Sequence, residues 1–330
     1  MRILFVPTIA GKQWNGASIY SGALGGSESA VAYMARALVR LGETEVTVLS
    51  HGQPGVFDGV AYRHINDLNV VLQEQWDVLV VSRYVEALTF PWKATYRVLW
   101  LHDMPYPVAT AIQVNKVYCI SKFQKACWGF RDGDVNITSD GVDTSVFQAL
   151  PFESRDWNKL LWISNPDRGL PLAAKIFQEI RKRWPDMQLH VYGRASVYGW
   201  DASVEAPFMP RPEHSENVFL HEPLSRIMLA RELGTAFALF YPTYWPEVFC
   251  MAALEAQACG TPVISSGVGA LPETVVGGIL TNDFLNAVSQ LRNRNRWEKL
   301  HTEGVEHAKK YDWSLVANDW LEKFQSALGK

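Results

Sequence analysis

Along the whole chain, short apolar runs bounded by turn residues alternate with stretches of helical period. In the first half, RILFVP (2–7), EVTVLS (45–50), DVLVVS (77–82), YRVLWLH (96–102) and KVYCIS (116–121) read as strands. Between the first two, Val31, Met34, Ala35, Leu38 and Val39 share one face of a predicted helix that Gly42 ends. The pattern restarts with LLWIS (160–164), LHVYG (189–193), NVFLH (217–221), FALFY (237–241) and PVISS (262–266). A helix after Gly169 turns Ala173, Ile176, Phe177 and Ile180 inward. Such alternation predicts parallel α/β architecture, here two doubly wound domains in tandem. The stretch 148–158, with Pro151, Glu153, Arg155 and Asp156, is the expected linker, dividing the chain into 1–150 and 151–311. Sheets of this kind bind ligands beyond the carboxyl ends of their strands.

Composition narrows the function classes. A chain of 330 residues that is 48% hydrophobic can build two cores, and a net charge of −3 argues against nucleic acid as partner. Cys119, Cys127, Cys250 and Cys259 show no paired ligand spacing and read as reduced thiols of a cytoplasmic protein. The opening MRILFVPTIAGK is too short and too β-like for a secretory leader, and no apolar run approaches the ~18 residues of a membrane span. Two basic-aromatic clusters, Phe90–Arg97 and Lys122–Arg131, offer peripheral contact with the inner membrane face; solvated helix faces with snorkelling side chains are the favoured reading. Asp132 and Asp134 form a D-x-D, but in a glycine turn, where aspartate is selected for backbone reasons; no metal site is expected.

One stretch carries candidate chemistry: YPTYWPEVFCMAALEAQACGTPVISS, residues 241–266. It reads as buried protein yet holds Glu247 and Glu255, and an unpaired buried carboxylate costs several kcal/mol. A helix is expected to begin at Glu247, with Val248, Phe249 and Cys250 as its first turn and their amides open to an anion. Glu255 then lies two turns on, about 12 Å along the axis at about 1.5 Å per residue. Two readings follow: a helix-start acid with a surface acid, or two carboxylates that bind the hydroxyls of one extended ligand.

The surroundings favour the second. EVFCMAALEAQACGTPVISSGVGALPETV resembles the E-x7-E region of retaining glycosyltransferases of family four (group 1 type). The match lies at Glu247, Phe249, Glu255, Ala256, Ala258, Gly260, Pro262, Val263, Gly269, Pro272 and Glu273, with Cys250 in place of a second glycine. LGGSESAVAYMARAL resembles the family's glycine loop (Gly25, Gly26), VLWLHDM its His-Asp strand end (His102), and SDGVDTSVF its N-G-V-D segment, with Asp140 for asparagine. In WISNPDRGL, Arg168 aligns with the family's lysine and nothing replaces its arginine; Asn165 stands nearby. YDWSLVANDWLEKFQSALG resembles the closing helix (312–330) that rejoins the first domain, with Leu315, Trp320, Leu321 and Phe324 as its packing face.

The resemblance implies a GT-B fold, two Rossmann-like domains facing a central cleft, the first for acceptor and the second for sugar nucleotide. It implies transfer of a hexose from a nucleotide-diphosphate sugar to a hydroxyl with retention, without metal or cofactor, UDP favoured over GDP. The acceptor would be a glycan, a lipid-linked molecule or a small molecule. Catalytic roles fall to His102, Arg168 and Glu247. Donor binding falls to Gly25, Gly26, Asn165, Arg168, Glu247, Val248, Phe249, Cys250 and Glu255. Rival readings are an epimerase or hydrolase on the same fold, and a catalytically silent sugar-nucleotide-binding subunit.

Overall fold

The computed structural model describes residues 1–7, 13–22, 24–42, 44–108, 112–198 and 201–330; part of the opening stretch, Thr8–Lys12, lies outside them. The chain forms two compact units, Met1–Gly141 with Trp313–Lys330, and Val142–Asp312.

Among the described residues the first unit is built on eight strands: β1 (Arg2–Val6), β2 (Glu45–Ser50), β3 (Gly55–Phe57), β4 (Val60–His64), β5 (Gln75–Ser82), β6 (Lys93–Leu101), β7 (Lys116–Cys119) and β8 (Val135–Ile137). Their order is β3-β4-β2-β1-β5-β6-β7-β8, all parallel except β3 against β4. The β3–β4 hairpin turns on Asp58 and Gly59, both at positive φ (50° and 81°), the geometry an Asp-Gly pair favours. The helix Trp313–Ala327 belongs to this unit and stacks Trp313 on Tyr33 of the helix Gly26–Arg40. Its buried face is Trp313, Val316, Ala317, Trp320, Leu321 and Phe324; Leu315, expected inside, is 55% exposed because it sits one position off that 3.6-residue stripe.

The second unit has β9 (Asp156–Trp162), β10 (Gln188–Val191), β11 (Val218–Leu220), β12 (Ala236–Tyr241), β13 (Val263–Ser265) and β14 (Gly278–Leu280), all parallel in the order β11-β10-β9-β12-β13-β14. β12 is buried along its whole length, as a strand covered on both faces must be. The expected linker, 148–158, and the residues just before it are anchored here, and its last three residues open β9. Val142 bridges to Asp312, Thr144 donates its amide to the Asp312 carboxylate (3.2 Å), and Phe147 is buried. Buried Arg155 donates to the Leu233 carbonyl (3.1 Å), the Cys259 carbonyl (2.6 Å) and Thr261 Oγ1 (2.6 Å), so it closes the ends of two helices instead of lying in solvent.

Candidate functional site

In the second unit the chain winds outward from β9 through β10 to β11, then returns to β12 on the other side of β9. Strand order thus reverses between β9 and β12, the position beyond whose carboxyl ends sheets of this kind bind ligands. Arg168 stands on the β9 loop and Glu247 on the β12 loop, and they meet: Arg168 Nη1 donates to both Glu247 oxygens, at 3.1 and 3.2 Å. Tyr241, the last residue of β12, donates its hydroxyl to Glu247 Oε1 at 2.5 Å. Burial, then the Glu247 charge, pushes the Tyr241 phenol well above its ordinary value, so it remains a donor. Glu247 is 4% exposed, and its buried carboxylate is met by the Arg168 cation and the Tyr241 hydroxyl.

The two loops are fixed to each other. Gly169 has φ +124°, and a Cβ there would come within 3.0 Å of the Pro242 carbonyl. Thr243 Oγ1 donates to the Arg168 carbonyl (2.5 Å), and the Tyr244 hydroxyl donates to that of Asp167 (2.8 Å). The Arg168 guanidinium also lies over the Trp245 ring, 5.3 Å from its centroid. Beside it, burial raises the Asp167 carboxyl; Arg168 opposes the shift and Glu247 adds to it. Asn165 is buried as the residue before the short turn Pro166–Arg168, its carbonyl taking the Arg168 amide at 3.0 Å.

The helix expected from Glu247 begins later, at Met251. Cys250 has φ +78°, in the left-handed region, which breaks the helical run before Met251. The Glu247 carbonyl is taken by the Ala270 amide (2.6 Å), and Gly269 packs so closely that a Cβ would lie 2.3 Å from that carbonyl. Residues 247–250 thus form a pinned loop, and Val248–Cys250 are not a first helical turn; the amides the helix leaves open begin at Met251. Phe249 is buried, its carbonyl accepting from the Thr274 hydroxyl, and its ring belongs to the core. Burial first and Glu247 second raise the Cys250 thiol, so it stays protonated.

Glu255, 2% exposed on the helix Met251–Ala258, forms an ion pair with Arg226, the first residue of the helix Arg226–Thr235. The Arg226 guanidinium in turn lies over the Phe147 ring at 5.1 Å. Sequence reasoning missed Arg226, because nothing local marks a helix-start arginine as the partner of a carboxylate on another helix.

The first unit gathers polar residues at the carboxyl ends of β5 and β6. His102 is held at both ring nitrogens: Nδ1 is 3.2 Å from Ser82 Oγ and Nε2 3.2 Å from Asp140 Oδ1. Its side chain is 5% exposed, and its ring lies 4.4 Å from that of Trp100. Arg83, directly after β5 at φ +66°, forks onto Asp103 (2.7 and 2.9 Å) and donates to Ser27 Oγ (2.9 Å). Gly25 precedes, and Gly26 opens, the helix that carries Ser27. Arg83 was not singled out in the sequence, although it follows the end of a strand as His102 does. Asp132 pairs with Lys125 and Asp134 accepts the Arg131 amide at 3.2 Å, so both serve their own turn. Among the described residues no group of three or more His, Cys, Asp or Glu side chains could hold a metal ion. No helix of the described residues is long and apolar enough to cross a membrane.

Residues 158–297 match the family model for glycosyl transferases group 1, and this segment contains Arg168, Arg226, Glu247 and Glu255. D-inositol 3-phosphate glycosyltransferase of Kribbella flavida is 33% identical over 227 residues, 61% of this chain and 53% of that protein. The Segniliparus rotundus protein of the same name is 28% identical over 49% of this chain and 38% of its own length. The chain thus spans about half, or less, of the length of these relatives. Sucrose-phosphate synthase from Thermosynechococcus elongatus superposes with a TM-score of 0.75 at 15% identity over 100% of both chains. Anabaena HepE in complex with UDP-glucose gives 0.75 at 16% identity, over 99% of this chain and 100% of that one. The fold is GT-B.

Proposed function

We propose that the protein is a retaining glycosyltransferase that moves a hexose from a nucleotide-diphosphate sugar, UDP-linked before GDP-linked, to an acceptor hydroxyl. The observation that carries this is the Arg168–Glu247–Tyr241 cluster where the strand order of the second unit reverses, within the segment similar to group 1 glycosyltransferases. In this reading Glu247, oriented by Arg168 and Tyr241, accepts hydrogen bonds from the transferred sugar. Arg168 meets the charge that grows on the leaving diphosphate, aided by the amides that open at Met251. Glu255 accepts from the ribose hydroxyls. The protonated Cys250 thiol is no nucleophile, and a front-face route, in which the leaving phosphate takes the acceptor proton, needs none. His102, bonded at both nitrogens, positions the acceptor side and does not itself touch substrate. The reaction in this reading runs without metal, and the acceptor is a glycan, a lipid-linked molecule or a small molecule.

The test is to incubate the protein with UDP- and GDP-hexoses, with and without hydroxyl acceptors, and to follow nucleotide release and the anomeric configuration of the product. Acceptor-dependent release with retained configuration supports the proposal. Release without any acceptor identifies a hydrolase, an altered sugar nucleotide an epimerase, and binding without turnover a silent subunit.

A further inference from the structure

The ion pair between Arg226 and Glu255 has no counterpart in the motif through which Glu255 was recognised. A carboxylate 2% exposed on an otherwise apolar helix is stable only with a compensating cation, and Arg226 supplies it. Arg226 is itself fixed: it opens its helix, its side chain is 11% exposed, and its guanidinium lies over the buried Phe147 ring. Phe147 is anchored in turn, its amide donating to the Asp143 carbonyl at 2.9 Å. The planar guanidinium is therefore clamped on its face by an aromatic ring and at its edge by the carboxylate, a geometry an ammonium group cannot reproduce.

We infer that Arg226 is a positioning residue that makes Glu255 a reader of the nucleotide ribose. The inference rests on the donor reading given above. The pair is made through Oε1, and in this inference Oε2 is the oxygen that meets the ribose. Arg226 fixes the carboxylate rotamer, so that its other oxygen is presented as an acceptor for a hydroxyl donor opposite it. A 2′-deoxyribose leaves that oxygen without its partner, a buried group left unpaired. Selection of ribonucleotide over deoxyribonucleotide thus depends on a residue that need not touch the ligand.

Calorimetric titration with UDP, 2′-deoxy-UDP and UMP, and with GDP, 2′-deoxy-GDP and GMP, separates the two claims. Wild type should prefer the ribonucleotide by about tenfold or more, the scale of a hydrogen bond to a charged group. Arg226→Gln should bring that preference to within about threefold, while the preference for diphosphate over monophosphate persists, since Arg168 is untouched. Arg226→Lys, which keeps a cation, guards against a variant that does not fold; its ribose preference should fall at least about threefold. If wild type binds no nucleotide, the donor reading fails. If wild type selects ribose and a folded Arg226 variant selects it equally well, the donor reading stands and this inference is overturned. A uniform loss across all six ligands also overturns it, because that is the signature of a purely structural arginine.

Discussion

A side chain's neighbours decide what its charge can do, and Arg168 illustrates this. It aligns with a lysine of the family pattern, but its guanidinium holds Glu247 from the facing loop and lies over Trp245. Arg168→Ala should slow transfer by about 10²–10³-fold, the scale of one lost preorganised electrostatic donor. Arg168→Lys should recover only part, because a point charge reproduces neither the ring contact nor the planar fork. Nucleoside monophosphate should separate wild type from Arg168→Ala less than nucleoside diphosphate does. Wild-type turnover and diphosphate affinity in Arg168→Ala would hand the role to another cation. The two acids were legible in the sequence because Glu247 and Glu255 fall in one spaced motif, and Arg168 was picked out in a separate stretch, WISNPDRGL. Their partners were not. Tyr241 reads as the end of a strand, Asp140 as a substituted asparagine, and Arg226 carries no local mark, until folding brings each beside its counter-group.

Elements were predicted from period, and period says little about where they end. The expected strands all formed, because alternating or continuous apolar runs bounded by turn residues have few other ways to be buried. The β3–β4 hairpin was missed although its Asp58-Gly59 turn is a direct signal. The late start of the helix at Met251 was not readable, since a left-handed cysteine is adopted only where contacts as close as those of Gly269 and Ala270 enforce it. An element-scale prediction concerns His190 on β10, whose Nδ1 is 2.9 Å from His221 Nε2. Burial, followed by the Lys159 and His221 charges, lowers its imidazole from 6.5 to about 4, with Glu232 and Asp156 opposing. The folded chain therefore refuses a proton that the unfolded chain accepts below pH 6.5. The stabilisation is complete above that value and is lost as pH falls toward about 4. Urea unfolding midpoints should drop more steeply across this window in wild type than in His190→Gln. Parallel pH profiles would assign the acid sensitivity to other groups.

Across the whole molecule the chain builds one compact unit, then a second, and its last helix completes the first. That helix buries Trp320 completely, with ring centroids 4.7 Å from both Trp100 and Tyr118 and its indole donating to Thr138 Oγ1 at 2.7 Å. Trp320→Ala should cost about 3–5 kcal/mol, since a large core side chain is removed and the cavity closes only in part. Trp320→Phe should lose mainly the hydrogen bond, about 1 kcal/mol. Denaturant unfolding measures both, and amide exchange in β6 and β7 should accelerate in the alanine variant. Unchanged exchange there would mean that the helix adds little to the first sheet. Sequence alone determined the class of each layer, because the periods of burial, 2 and 3.6, are local properties of the backbone. It also determined the identity of the two acids. Tertiary structure alone decided strand order, the attachment of residues 142–155 to the second unit, and the cation that each acid received. Charge compensation is a property of positions in space, and residues that share no local pattern reach those positions only when the sheet is closed.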